Sequence, residues 1–206
     1  MHAGLNEVTL PAQGWMPTLQ SALREATRQQ HHRLDHHPLL ARLVRPGLQM
    51  ADYGRALQAL YAINAPSERC IADYIAAQGY AFDYAAHQRM PDLLADLAYL
   101  SLPVPPLAWA GPRLDSPGEL VGCLYVLAGS TLGGRVIFRQ LQSVLPVTAS
   151  AGARFFAGHG EQTMGMWQNF WAFAATICSP AELPAARQSA AALFERILTL
   201  LESQSC

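Results

Sequence analysis

SPGELVGCLYVLAGSTLGGRVIFRQLQSVL, residues 116–145, is the stretch whose reading decides the fold. It opens with Ser116-Pro117-Gly118-Glu119: a serine to cap a helix, a proline for the first turn, and an acid three residues on to close a capping box. The apolar run LVGCLYVLAG continues straight into STLGGRVIFRQL, with no strand-like alternation and no turn signal. Gly129, Gly133 and Gly134 each cost a helix roughly 1 kcal/mol against alanine. Such a cost points to close approach by something. Gly129 and Gly133, at GxxxG spacing, suit helix–helix packing. They suit equally a flat ligand laid against the backbone, and the pattern alone leaves both open. A phosphate loop is excluded, since there is no GxxxxGK[ST] and no strand before the glycines.

Working outward, the rest of the chain also reads as helix. Leu19, Leu23, Ala26, Gln30 and Leu34 mark one face of a helix over 18–37, stopped by Pro38. A long helix fits 51–78, with Pro66 expected to kink or interrupt it. LLADLAYL forms a short helix after Pro91-Asp92. Four of the fourteen prolines fall between 103 and 112, which makes that connection irregular. Helices over 149–177 and 180–203 complete the chain. Without an internal repeat or linker, the expectation is one all-α domain over 17–203 behind a loose leader, 1–16.

Half of the 206 residues are hydrophobic and 14% are charged, which favours a packed core over disorder. The net charge of −1 gives no general pull toward nucleic acid or an anionic membrane. All fourteen basic residues are arginine, so any anion held by a cation is held by a planar fork. Cys70, Cys123, Cys178 and Cys206 are widely spaced and read as reduced thiols. With no basic start and apolar run at the N-terminus, the chain reads as cytoplasmic.

LREATRQQHHRLDHH, residues 23–37, holds four of the seven histidines. His31 and Asp35 lie one turn apart, so the carboxylate can take one ring N–H and leave the other nitrogen for a metal. Arg24 and Arg28 lie behind His31 on or beside the same face. This arrangement suits a metal cofactor bearing carboxylates, such as haem. Four clustered histidines also suit a solvated face or a non-specific metal binder.

Two motifs about a hundred residues apart carry a family resemblance. LREATRQQH resembles the opening helix of haem oxygenases, and AGSTLGGR resembles their distal helix; LYAINAPSE and LLADLAYL resemble bacterial segments between them. The chain is therefore identified as similar to bacterial haem oxygenases, with the bacteriophytochrome-associated subgroup the nearest. The resemblance implies haem sandwiched between the proximal first helix and a kinked, glycine-rich distal helix. It implies His31 as the iron ligand, Asp35 as its hydrogen-bond partner, and Arg24 and Arg28 as propionate partners. Gly129, Gly133 and Gly134 match the distal glycines, and Phe194 an aromatic near the haem. His32, His36 and His37 match nothing functional and read as surface residues.

The implied reaction opens haem, both cofactor and substrate, to biliverdin, carbon monoxide and ferrous iron. It uses O2 and electrons from a ferredoxin- or flavin-type reductase, with the bilin available to a bacteriophytochrome. Two departures matter. Ser130 stands where many members carry a distal aspartate, and GMWQNFWAF at 165–173 lacks the basic residue that many members use on a propionate. Ser130 motivates an alternative, a haem-binding or haem-trafficking protein without turnover.

Overall fold

A computed structural model describes residues 12–203, which form eight α-helices joined by short 3₁₀ turns and loops. They are α1 (Ala12–Asp35), α2 (Pro38–Ala41), α3 (Met50–Gln78), α4 (Met90–Tyr99), α5 (Pro117–Val144), α6 (Arg154–Ala157), α7 (Thr163–Ile177) and α8 (Leu183–Ser203). The capping box forms as read: the Glu119 N–H donates to Ser116 Oγ at 3.2 Å, and the Ser116 N–H to Glu119 Oε2 at 3.2 Å. α5 then continues through all three glycines as one helix. Its length and apolar character would let it cross a membrane. Here it packs instead along α8, with Leu120, Val121, Cys123 and Leu124 buried.

The structure departs from the sequence reading in three places. α1 begins at Ala12, ahead of the expected Thr18, and contains Pro17; residues 1–11 of the expected leader lie outside the described residues. Of the kink or interruption expected at Pro66, the interruption does not occur, and α3 continues through the proline. Around that proline, which removes a backbone donor, Asn64 Nδ2 and Ser67 Oγ donate to the Leu60 and Ile63 carbonyls, both at 2.8 Å. The expected helix over 149–177 breaks into a turn, α6, a 3₁₀ turn and α7, because Gly152, Gly158 and Gly160 take φ of 80°, 63° and 57°. The Gly152 carbonyl accepts from the buried Tyr53 hydroxyl at 2.7 Å, which locks that turn onto α3.

Two apolar cores hold the helices. One joins α1, α5, α7 and α8 through residues such as Leu23, Leu124, Phe170 and Leu193. The other joins α3, α4 and α6 to the far end of α5 through Leu57, Leu97, Phe156 and Leu141. Two buried carboxylates start helices in the second region. Glu68 accepts from the Arg89 and Met90 N–H groups at 2.8 and 3.2 Å, and Asp96 from Arg154 and Phe155, both at 2.9 Å. Burial pushes both carboxyls up despite these bonds.

Asp96→Ala should strand two sheltered amides at about 1–3 kcal/mol each and lower the thermal midpoint sharply. Asp96→Asn, which keeps one acceptor, should lose clearly less. Equal losses in the two variants would assign the effect to packing alone.

Candidate functional site

α1 buries Leu19, Leu23 and Thr27, packs along α8, and turns the neighbouring stripe, Arg24, Arg28, His31 and Asp35, to solvent. His31 Nδ1 lies 3.0 Å from Asp35 Oδ2, with both side chains more than half exposed. A carboxylate can only accept here, so in the neutral tautomer this contact selects, Nδ1 holds the hydrogen and Nε2 is the nitrogen left for a metal. The His31 ring centroid is 5.9 Å from that of Phe194, a buried residue of α8. The structure thus brings together His31, Asp35 and Phe194. Arg28 pairs with Glu25 at 2.9 Å on an exposed surface, a contact weak enough to exchange for another anion. Arg24 has no ion pair among the described residues.

The four clustered histidines do not converge. His32 and His36 stack on each other with centroids 4.3 Å apart, and His36 Nδ1 turns to the His32 carbonyl at 2.8 Å. His37 corrects the surface reading: it is buried, and its Nδ1 accepts from the Leu39 N–H at 3.3 Å to cap α2. Among the described residues no group of three or more His, Cys, Asp or Glu is arranged to hold a bare metal ion.

Burial lowers the His37 pKa from its ordinary value, against an opposing pull from Glu202. Protonation also takes away the lone pair that caps α2. His37 therefore stabilises the fold fully above about pH 6.5, and that contribution is lost as pH falls through its lowered folded value. His37→Asn, which can cap but not titrate, should narrow the difference in urea midpoint between pH 7.5 and pH 5.5. An unchanged difference would remove His37 from the acid response.

On α5, Gly118, Gly122, Gly129 and Gly133 share one face. At the first two, α8 and the 3₁₀ turn leading into it fill the space that a Cβ would take: the Glu182 carbonyl of that turn would lie 2.5 Å from a Cβ on Gly118, and the Ala186 carbonyl of α8 would overlap one on Gly122. At the last two the face is open. A Cβ on Gly133 would meet nothing within 4 Å, and one on Gly129 only the Trp167 indole, at 3.8 Å. Helix packing therefore explains Gly118 and Gly122 but not Gly129 and Gly133. Gly134 points elsewhere, with its Cβ position 3.4 Å from the Phe156 carbonyl. Ser130 Oγ is exposed and donates to the Leu127 carbonyl at 2.7 Å. The Ala186–Ala190–Phe194 stripe of α8 connects the packed part of the glycine face to the ring of His31.

Several neighbours escaped the sequence reading. Trp167 and Trp171 of α7 form a half-buried aromatic cluster with Tyr125, at centroid distances of 5.2–5.9 Å, beside Gly129. Their four-residue spacing is visible in GMWQNFWAF, a segment read only for its missing cation. His87 Nε2 is 2.8 Å from Asn169 Oδ1, and no local pattern links residues 82 positions apart. The buried thiols of Cys123 and Cys178 are pushed up to about 12 and about 11, which suits reduced core residues. Cys206 lies outside the described residues.

Comparison with known proteins gives a consistent set of relatives. The model of the family described as Heme oxygenase matches residues 17–203. A heme oxygenase of Xanthomonas campestris pv. campestris (strain 8004) is 32% identical over 155 residues, covering 74% of this chain and 90% of that protein. Among solved structures, the NO- and CO-bound heme oxygenase of Neisseria meningitidis superposes with a TM-score of 0.77 at 20% identity, over 90% of this chain and 91% of the other. The heme oxygenase of Leptospira interrogans gives 0.67 at 16% identity, over 90% and 98%.

Proposed function

Because this chain belongs to the haem oxygenase family, we propose that it takes haem as substrate between α1 and the open glycine face of α5, with His31 on the iron. The reaction is the oxidative opening of haem to biliverdin, carbon monoxide and ferrous iron, supplied with O2 and external electrons. The observation that carries the placement is a pair of matched features, one on α1 and the other on α5. One is an imidazole with a free Nε2; the other is a stretch of helix where a methyl group would stand in empty space.

The residues present fit haem. Neutral imidazole is the proximal donor of many haem proteins. Asp35, holding Nδ1–H, fixes the ring orientation and makes Nε2 a stronger donor. Phe194 and the Trp167 cluster supply apolar walls, and Gly129 and Gly133 let the porphyrin approach the backbone. Such a slot holds one edge of the macrocycle in place, so positioning supplies much of the selectivity. Ser130, whose hydrogen is spent on the Leu127 carbonyl, keeps its oxygen lone pairs to orient a water. Electrons come from a ferredoxin- or flavin-type reductase, and the bilin is available to a bacteriophytochrome in the cytoplasm.

Haemin added to the chain, followed by a reductant in air, should convert a histidine-ligated visible spectrum into that of a bilin. A spectrum that stays haem-like under reductant and air would support haem carriage instead. Arg24 and Arg28 are the propionate partners in this placement. A sheltered charge-assisted bond is worth about 1.5–3 kcal/mol, and an exposed one less. Arg24→Ala with Arg28→Ala should therefore weaken haem affinity measurably or change the product isomer. Unchanged affinity together with an unchanged isomer would move the propionates elsewhere.

A further inference from the structure

HHRLDHH, residues 31–37, contains a histidine pair that the haem placement leaves unused. His32 sits in the last turn of α1 and His36 just past its end, one helical turn apart and both exposed. Their rings stack at a centroid distance of 4.3 Å and an interplanar angle of 26°. The His32 carbonyl accepts twice from His36, from the backbone N–H at 3.3 Å and from ring Nδ1 at 2.8 Å. In the neutral tautomer this contact selects, Nδ1 holds the hydrogen and Nε2 is left for a ligand. A ring N–H held on a backbone carbonyl is the second contact that metal-binding histidines usually make, because it fixes the ring and strengthens the other nitrogen as a donor.

The surroundings favour a cation. α1 ends here, so its last carbonyls present the negative end of the helix dipole. The nearest guanidinium groups are already paired, Arg28 with Glu25 at 2.9 Å and Arg33 with both oxygens of Glu195 at 2.8 Å. Asp35, engaged by His31, adds a negative charge beside the pair. Two imidazoles suit a late first-row divalent cation such as Zn²⁺, whose bonds to nitrogen are ~2.0–2.1 Å long. Mg²⁺ and Ca²⁺ need oxygen ligands and do not fit. A small splay of the stacked rings turns a nitrogen of each to one ion, and water completes its coordination.

We propose that His32 and His36 form a two-histidine site for a late divalent cation, and that the ion staples the last turn of α1, the turn that carries Asp35. The site does not depend on the haem placement, so its test uses the full chain without haem.

The probe is Zn²⁺, added to tag-free, uniformly ¹⁵N-labelled protein and followed through the imidazole ¹H–¹⁵N signals. The His32 and His36 rings should shift together and saturate together, with the His31 ring moving far less. The same concentration of Mg²⁺ should leave all three in place. His32→Gln and His36→Gln should each weaken Zn²⁺ binding about tenfold or more, because the helix holds the second imidazole at high effective concentration. Zn²⁺ should also raise the thermal midpoint of the wild-type chain more than that of His36→Gln. A His31 ring that moves as far as His36, an affinity that neither substitution weakens, or an equal rise in midpoint for the two proteins would overturn the site.

Discussion

His31→Ala is expected to remove the histidine-type spectrum of the ferric haem complex and to abolish ring opening. Among the described residues, only His31 combines a carboxylate on Nδ1, an unengaged Nε2 and an aromatic contact to α8. Asp35→Asn keeps the ligand but weakens its orientation, and the loss of a partner of this kind typically costs about 10–100-fold in affinity or activity. The order of effects should therefore be His31→Ala, then Asp35→Asn, with His32→Ala and His36→Ala near wild type. His37→Ala belongs to another category, because the ring caps α2 from inside the fold; its cost should fall on stability and not on the spectrum. Added imidazole should restore part of the His31→Ala activity by occupying the vacated position. A His31→Ala protein with a wild-type spectrum and wild-type turnover would sink the ligand assignment.

The second large effect is a contrast between glycines on one helix face. Gly133→Ala should raise the melting temperature of the haem-free protein, since alanine is the better helix former by roughly 1 kcal/mol and its methyl group would meet no atom within 4 Å. The same variant should lose most of its turnover, because the proposed placement puts the porphyrin or its oxygen where the methyl would stand. Gly122→Ala should do the reverse. Its methyl would collide with the backbone of α8, and overpacking of that kind costs typically 1–3 kcal/mol. Activity per folded molecule should then change little. If Gly133→Ala destabilised the haem-free chain and turned over normally, the open face would be a packing surface after all.

These glycines also show how far the sequence could be read. Their cost as helix residues was visible in SPGELVGCLYVLAGSTLGGRV, but the two explanations for that cost look the same in one dimension. Gly122 and Gly133 differ only in what lies opposite, and that is set by where α8 diverges from α5. The Ser116–Glu119 box, by contrast, is a local device whose partners are three residues apart, so it was legible in full. His31 and Asp35 were legible for the same reason. The break at residues 149–162 was missed because Gly152, Gly158 and Gly160 can sit in a helical pattern as well as outside it; their positive φ follows from the tertiary seat of the turn, such as the Tyr53 bond. The buried side of His37 and the pairing of His87 with Asn169 were beyond reach, since each depends on long-range packing.

The most direct measurement of the central claim is the resonance Raman spectrum of the ferrous haem complex. Wild-type protein should show an iron–histidine stretching band that shifts on ¹⁵N-histidine labelling. The band should also move in Asp35→Asn, where the neutral partner weakens the imidazole as a donor. His31→Ala should lack the band altogether and regain it only with added imidazole. An unshifted iron–histidine band persisting in His31→Ala would contradict the account, because the iron would then be held by another histidine.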